Sequence, residues 1–448
     1  MTRLPNGWEL TSINEIASFN PKTIADDSLD CAFAPMQYLG TRFRAQMNYE
    51  QKNWGEIKKS YVHFQTGDVI VAKVTPCFEN GKAGIAPNLP NGIGAGSSEF
   101  CVFRPVQGIN ERYLLSWLST EDFRRRAAVA MTGSVGLKRV PKEVFLSEEI
   151  PLAPEAEQRR IADKLDTTLA RVDALNDRLA RINPLLKRFR QSVLAAATSG
   201  KLTEDWRGSS EAENEWRSVS LKEVASDFSY GSSAKSSKSG RVPVLRMGNI
   251  QDGALDWTDL VYTSDPEEIK KYKLVKGDVL FNRTNSPELV GKTTIFQGEQ
   301  EAIYAGYLIR VKCTEKLIPE YLNYCLGSPM GREYCWQVKS DGVSQSNINA
   351  KKLAAFEFLL PPIEEQTEIV RRVASLFAFA DRLEARLQSA QTAAECLTPA
   401  LLAKAFRGEL VPQDPNDEPA TELLRRLREA RAAQAPTKPK RGRKAAAA

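Results

Sequence analysis

The side chains in this chain best suited to chemistry are hydrogen-bond donors and acceptors rather than catalysts. Lys73, Thr75, Asn80 and Lys82 share one polar stretch, with Ser97, Ser98 and Lys138 in two more. Asn282, Arg283, Thr284, Asn285, Ser286 and Lys292 form a second such group, followed by Ser344 and Gln345. Arginine and lysine can pair with guanine edges, and asparagine with adenine. Serine and threonine serve base or phosphate. The competing account is that Asn, Ser, Thr and Gly are simply turn formers.

Catalytic constellations are missing from the sequence. One histidine, His63, leaves no room for a triad or a histidine-based metal site, and its place ahead of a strand reads as structural. The seven cysteines show no C-x-x-C spacing, which argues against zinc and against a disulfide framework. Gly291-Lys292-Thr293 ends like a phosphate loop, but Ser286 stands where its first glycine belongs. Glu56-Ile-Lys58 and Glu268-Ile-Lys270 have the E-x-K shape of some nucleases and no acidic partner upstream. No Asn/Asp-Pro-Pro-Tyr/Phe marks a base-methylating site.

The elements that must carry the polar groups are written twice. Pro154, Glu157, Gln158 and Ile161 recur 208 residues later as Pro362, Glu365, Gln366 and Ile369. Leu194, Ala195, Ala197, Gly200 and Leu202 recur as Leu402, Ala403, Ala405, Gly408 and Leu410. Trp8, Tyr113 and Arg124 face Trp216, Tyr321 and Arg332 at the same offset, while Gly81-Lys82 faces Gly291-Lys292 at 210. So long a period implies two copies of one unit. The stretches between match poorly.

Each copy contains a heptad run. Ile161, Leu165, Thr168, Val172, Leu175, Leu179 and Ile182 alternate in steps of four and three. Ile369, Val373, Leu376, Ala380, Leu383, Leu387 and Ala390 repeat the phase. This spacing predicts two long helices, about 50 Å each, pairing antiparallel through these residues. Pro184 and Pro399 fall inside the runs and predict kinks or short breaks. Strands are predicted at Asp68–Val74, Phe100–Phe103, Asp278–Phe281 and Tyr307–Val311, with helices at 110–130 and 318–337.

Charge adds one constraint. The net +6 is concentrated in residues 425–448, where nine Lys/Arg face one Glu, so the remainder is nearly neutral. A nucleic-acid surface would be a local patch. The tail at 435–444 reads as disordered. No apolar run approaches the roughly 20 residues needed to cross a bilayer, and no signal-peptide pattern opens the chain. No membrane association and a cytoplasmic location are therefore expected.

The whole pattern resembles the DNA-specificity subunit of type I restriction-modification systems. The resemblance rests on Ile150-Pro-Leu-Ala-Pro-Glu-Ala-Glu-Gln158 and Leu359-Leu-Pro-Pro-Ile-Glu-Glu-Gln366, each opening a heptad helix. It rests also on Phe189–Ala197, Ser199–Arg207, Gly7-Trp8 and the Thr75–Lys82 loop. It implies an α+β fold, with two mixed α/β target-recognition domains separated by two long helices in an antiparallel coiled coil, as a pseudo-two-fold internal repeat. The expected division is 1–150 and 204–357 for target recognition, 151–203 and 358–411 for the helices, and 412–448 for a C-terminal segment.

The family further implies a non-catalytic subunit that reads an asymmetric, bipartite site on double-stranded DNA. Its helices would act as spacer and dock two methyltransferase subunits, with restriction and translocase subunits joining. S-adenosylmethionine, ATP and magnesium would belong to those partners. The alternative is a coiled-coil scaffold whose end domains bind protein; it predicts salt-insensitive behaviour toward DNA.

Overall fold

The computed structural model describes residues 4–41, 47–134, 136–208, 216–251, 253–343 and 345–434. Ser344, residues 209–215 of the linker expected at 207–215, and the basic tail from 435 onward lie outside the described residues; Arg207 and Gly208 instead end the helix Glu204–Gly208. The chain divides into two compact units. Unit 1 is Met1–Leu179 with Ser389–Ala448, and unit 2 is Ala180–Gln388.

In unit 1 a four-stranded antiparallel sheet runs Ala17–Phe19, Phe100–Pro105, Val69–Ala72, Ala83–Ile85. A second sheet holds Glu50–Asn53, Asp30–Ala34, Ile93–Gly96 and Val62–Gln65, with its central pair parallel. Unit 2 repeats the first sheet with Ala225–Tyr230, Leu308–Cys313, Val279–Asn282 and Thr293–Ile295. Its second sheet has three strands, Val261–Thr263, Val242–Leu245 and Ile303–Tyr304, again with one parallel pair. The strands predicted from Val/Ile-rich runs are all present. The two predicted helices are each split, into Glu111–Leu118 and Glu121–Val129, and into Pro319–Gly327 and Pro329–Val338. Thr120 and Ser328 cap the second helix of each pair through their hydroxyls.

A short antiparallel pair closes each unit: Glu9–Ser12 with Glu149–Leu152, and Arg217–Ser220 with Glu357–Leu360. These pairs stand where the expected 150/151 and 357/358 boundaries fall. The compact units, in contrast, divide the helical stretches themselves.

The stretches are Glu155–Ala180 then Ile182–Thr198, and Ile363–Glu395 then Leu397–Phe406. Both interruptions are single residues, Arg181 and Cys396, which keep right-handed helical backbone angles. Pro184 and Pro399 each sit in the first turn after the break, where a missing N–H costs least.

Within each unit the two stretches run antiparallel. In unit 2, Arg372 pairs with Asp205 while Arg190 pairs with Asp381 and Glu384, so one number rises as the other falls. In unit 1, Arg160 pairs with Asp417, and Leu169 and Asp173 share a cavity with Thr398 and Leu402.

The buried stripe departs from the expected seam. Ile161, Leu165, Val172, Ile369, Val373 and Leu387 are buried, and Leu179, Ile182, Leu376 and Leu383 half-buried. Leu175, however, is 40% exposed, and Leu169 is buried where the heptad points to Thr168. A helix near 3.6 residues per turn drifts out of a 3.5-residue register, which moves the contact from 168 to 169.

No element is predicted after 411, and the segment contains a helix. Ala420–Gln434 is a helix whose Ala420, Leu423 and Leu424 join the core of unit 1 beside Trp8, Ile13 and Ile109. Leu423, Leu424 and Leu427 lie on one helical face. That short stripe is the overlooked signal, masked by the surrounding arginines.

Candidate nucleic-acid interface

In both units the central strand delivers a cation into the same backbone setting. Lys73 donates its N–H to Glu99 O at 2.9 Å and accepts at its own carbonyl from Val140 N at 2.9 Å. Arg283 donates to Tyr307 O at 3.0 Å and accepts from Ile348 N at 2.9 Å. The side chains follow suit. Lys73 Nζ donates to Ser98 O at 3.0 Å, and Arg283 Nη1 to Gly306 O at 3.2 Å. Ser98 and Gly306 are equivalent at the 208-residue offset.

The loop after the strand then meets the polar segment that precedes the closing pair. In unit 1, Thr75 N donates to Lys138 O at 3.0 Å, and Thr75 Oγ1 accepts from Lys138 N at 3.0 Å. The hairpin Thr132–Ser134 with Leu137–Arg139 is exposed along its described length, Lys138 included. In unit 2, Thr284–Asn285 pairs with Ser346–Asn347, which pairs in turn with Ser340–Asp341. Asn347 Nδ2 donates to Thr284 Oγ1 at 2.8 Å, and Asn285 Oδ1 accepts from Ser286 N at 2.8 Å. Candidate groups far apart in sequence, 75 with 138 and 284 with 346, thus form one surface in each unit.

Individual candidates fare differently. Asn80, Ser98, Lys138 and Gln345 are exposed. Lys73, Thr75, Ser97, Arg283, Thr284, Asn285 and Ser286 are half-buried at the surface. Lys82 and Lys292 are half-buried and engaged with their own unit. Lys82 Nζ donates to Met36 O at 2.9 Å, and Lys292 Nζ to Gln251 Oε1 at 3.0 Å. Asn282 is a correction. It is fully buried at the end of Val279–Asn282, a strand covered on both faces, so its amide cannot reach a base.

Reading the sequence missed three neighbours of Arg283. Tyr230 stacks on its guanidinium at 4.7 Å and is fixed by Ala350 N, which donates to the phenol oxygen at 2.9 Å. Tyr307 is 49% exposed beside it, and Asn347 Oδ1 accepts weakly from Nη2 at 3.4 Å. The loop after Tyr230 adds exposed Lys235 and Lys238. The run of serines and glycines from 231 to 240 was the available signal.

Electrostatics leave some cations committed. Arg139 forks onto Glu99 at 2.6 Å, and that hydrogen bond holds the Glu99 carboxyl below its usual range. Lys339 pairs with Asp341 at 2.6 Å and lowers its pKa likewise. His63 is structural. Its Nδ1 accepts from Thr23 N at 3.0 Å, its Nε2 meets Lys58 O at 2.7 Å, and burial lowers its pKa. Among the described residues no cluster of His, Cys, Asp or Glu could hold a metal ion, and no helix is long and apolar enough to cross a membrane.

In both units the loop after the central strand meets a polar hairpin, and each unit carries a copy of the same helical stretch. The model of the type I restriction modification DNA specificity domain matches residues 5–183 and 213–390. The chain belongs to this family. It is 34% identical over 348 residues to the type I restriction enzyme EcoKI specificity subunit of Escherichia coli K12, covering 75% of each chain. It is 35% identical to the StySPI specificity subunit of Salmonella potsdam, over 70% of this chain and 69% of that one. Among solved structures, the HsdS subunit from Thermoanaerobacter tengcongensis superposes with a TM-score of 0.62 at 20% identity, over 91% of this chain and 98% of that one. A chain from a structure of type I restriction-modification complex assembly and conformational transition reaches 0.68 at 20% identity, over 91% and 100%. These likenesses support the expected α+β fold with its duplicated domains and paired helices.

Proposed function

We propose that this specificity subunit reads an asymmetric, two-part site on double-stranded DNA, one half-site for each unit. The observation that carries this is the repeated cation setting at Lys73 and Arg283, built with the same three bonds, two backbone and one side-chain, on different loop sequences. Equivalent frames give equivalent docking on DNA. Different residues, Thr75 and Lys138 against Tyr230, Asn285 and Asn347, give different bases.

The chain is itself non-catalytic in this reading. Its helical stretches dock two methyltransferase subunits, and restriction and translocase subunits complete the assembly in the cytoplasm. S-adenosylmethionine, ATP and magnesium serve the partners. The repeated Glu157–Thr198 and Glu365–Phe406 surfaces suit two copies of one partner.

Sequencing of methylated bases in the source genome, with and without this gene, tests the proposal. Loss of a two-part motif is the expected result. A methylome that keeps every motif would overturn it, provided the methyltransferase is expressed.

A further inference from the structure

Arg124 and Arg332 match across the copies although the loops near them do not. Each reaches from its helix, Glu121–Val129 or Pro329–Val338, to carbonyls of the loop that follows the central strand. Arg332 donates from Nη1 to Val290 O at 2.8 Å and from Nη2 to Glu288 O at 2.7 Å. Arg124 donates from Nη2 to Glu79 O.

The loop accommodates this approach with a glycine. Gly81 and Gly291 have left-handed φ of +73° and +85°. A Cβ at Gly81 would lie 2.8 Å from the Arg124 guanidinium. One at Gly291 would lie 2.6 Å from Cys335 Sγ and 3.2 Å from Arg332. A side chain at either place is strained by conformation, and at Gly81 it would also have to displace the Arg124 guanidinium.

The lysine that follows each glycine ties the loop on its other side. Lys82 reaches Met36 O in the turn Met36–Tyr38, and Lys292 reaches the side chain of Gln251, two residues past the corresponding turn Met247–Asn249. Between these ties the residues differ: Thr75-Pro-Cys-Phe-Glu-Asn80 in one unit and Asn285-Ser-Pro-Glu-Leu-Val290 in the other.

We infer that Arg124 and Arg332 are positioning residues for half-site recognition, each setting the place of its loop by an arginine–glycine–lysine brace. This rests on the proposed reading of DNA by the two units. The planar guanidinium matters because it fixes the direction of its donors: Arg332 holds two carbonyls of its loop in a fork, and Arg124 holds one, Glu79 O. Lysine keeps the charge and loses the fork.

The test uses the full complex with its methyltransferase subunits, carrying Arg332→Lys or, separately, Arg124→Lys. Binding is measured to the cognate duplex and to duplexes with one changed base pair in either half-site, at several salt concentrations. Arg332→Lys should reduce discrimination roughly tenfold in the half-site of unit 2 and leave the other half-site as in the parent. Arg124→Lys should do the reverse, and its presence in the other unit keeps the test available if one variant fails to fold. Unchanged discrimination, or equal loss in both half-sites, overturns the inference. So does unchanged discrimination with a salt slope smaller by about one, which marks a phosphate ligand instead. A parent complex with no two-part motif is a separate result and defeats the proposed function itself.

Discussion

The glutamate in the first turn of each long helix is held by a tryptophan in both units and by an arginine in only one. Trp8 Nε1 donates to Glu157 at 2.9 Å, and Trp216 Nε1 donates to Glu365 at 3.0 Å. The glutamine beside each has the same duty. Gln158 bridges Ala153 O and Asn110 N, and Gln366 bridges Pro361 O and Ile318 N. The other oxygen distinguishes the copies. Glu365 Oε1 accepts from Thr203 Oγ1 at 2.7 Å and from Arg207 at 2.5 Å. Glu157 Oε1 is buried with no partner among the described residues. The positions that match Thr203 and Arg207 hold Val411 and Pro415.

The chain leaves the two helical stretches by different routes, and this explains the difference. After Gly200 it turns through Lys201–Thr203 into the short helix Glu204–Gly208, whose Asp205 and Arg207 reach back to the long helix. After Gly408 it runs on to Asp417, which pairs with Arg160 at 2.5 Å, and then to the helix Ala420–Gln434. The first join places Arg207 on the buried Glu365 carboxylate; the second combines the Arg160–Asp417 pair with apolar packing of Leu423 and Leu424.

The largest effect should come from separating the Arg207–Glu365 pair. Glu365→Gln leaves Arg207 without its counter-charge in a site where the carboxylate is fully buried. A loss of about 2–3 kcal/mol is expected for unit 2, because the charge left behind is the partly exposed Arg207, which keeps its bond to Gly200 O. Hydrogen exchange read separately on residues 216–360 and 4–150 would check it. Equal loss of protection in both sets would show that the effect is not local to the pair.

The second effect bears on recognition. Arg283 is clamped by Tyr230, Gly306 and Asn347, whereas Lys73 has one bond, to Ser98. A pre-organised fork discriminates bases better than a flexible ammonium. Arg283→Ala should therefore cost about 1–3 kcal/mol at one half-site, and Lys73→Ala should weaken binding more evenly across sequences. Competition binding with half-site variants distinguishes the two; identical profiles would place both cations on phosphates.

The third effect has the opposite sign to the first. Burial raises the Glu157 carboxyl above its ordinary value, against the Trp8 hydrogen bond and the Arg160 charge. An acid raised in the folded state contributes stability that is full below its unfolded pKa and lost as pH rises through its folded pKa. The contribution of Glu157 to the stability of unit 1 should therefore fall on going from about pH 4 toward neutrality. Glu157→Gln keeps an acceptor for Trp8 and removes that loss, leaving a variant more stable than the parent at pH 7 by about 1 kcal/mol. Urea unfolding at acid and neutral pH would check it; parallel pH profiles for the two proteins would exclude the carboxyl as the source.

Much of this frame was legible in the sequence because it is repeated and periodic. Trp8, Glu157, Gln158, Tyr113 and Arg124 announced themselves by their copies at 216, 365, 366, 321 and 332. The heptads gave the helices, and a straight-helix drift explains why Leu169 is buried and Leu175 exposed. The site was less legible. Thr75 meets Lys138, and Thr284 meets Asn347, through backbone pairing that no local pattern encodes. Tyr230 ends one strand and Tyr307 lies in the turn before another, and they become neighbours of Arg283 only in the folded sheet. Nor could alternation show which way Asn282 points. All four residues of Val279–Asn282 are buried, so the strand has no polar face to reveal its register.

Asn282 supplies the smallest and most diagnostic comparison. Its equivalent in unit 1 is Ala72, fully buried at the same end of the same strand. Neither side-chain atom of Asn282 has a partner among the described residues. A buried unpaired amide costs about 1–3 kcal/mol, whereas the methyl of alanine costs nothing in hydrogen bonds but leaves space behind. These opposing changes should nearly cancel in Asn282→Ala, for a net shift within about 1 kcal/mol of the parent. Ala72→Asn has no such compensation. It places the same amide in the tighter apolar cluster of Ala32, Phe64 and Phe100, and should destabilise unit 1 by the full amount. Denaturant unfolding of both variants is the measurement. A large loss in Asn282→Ala would mean that the amide is satisfied in solution by ordered water, and the asymmetry between the two strands would then be one of hydration rather than strain.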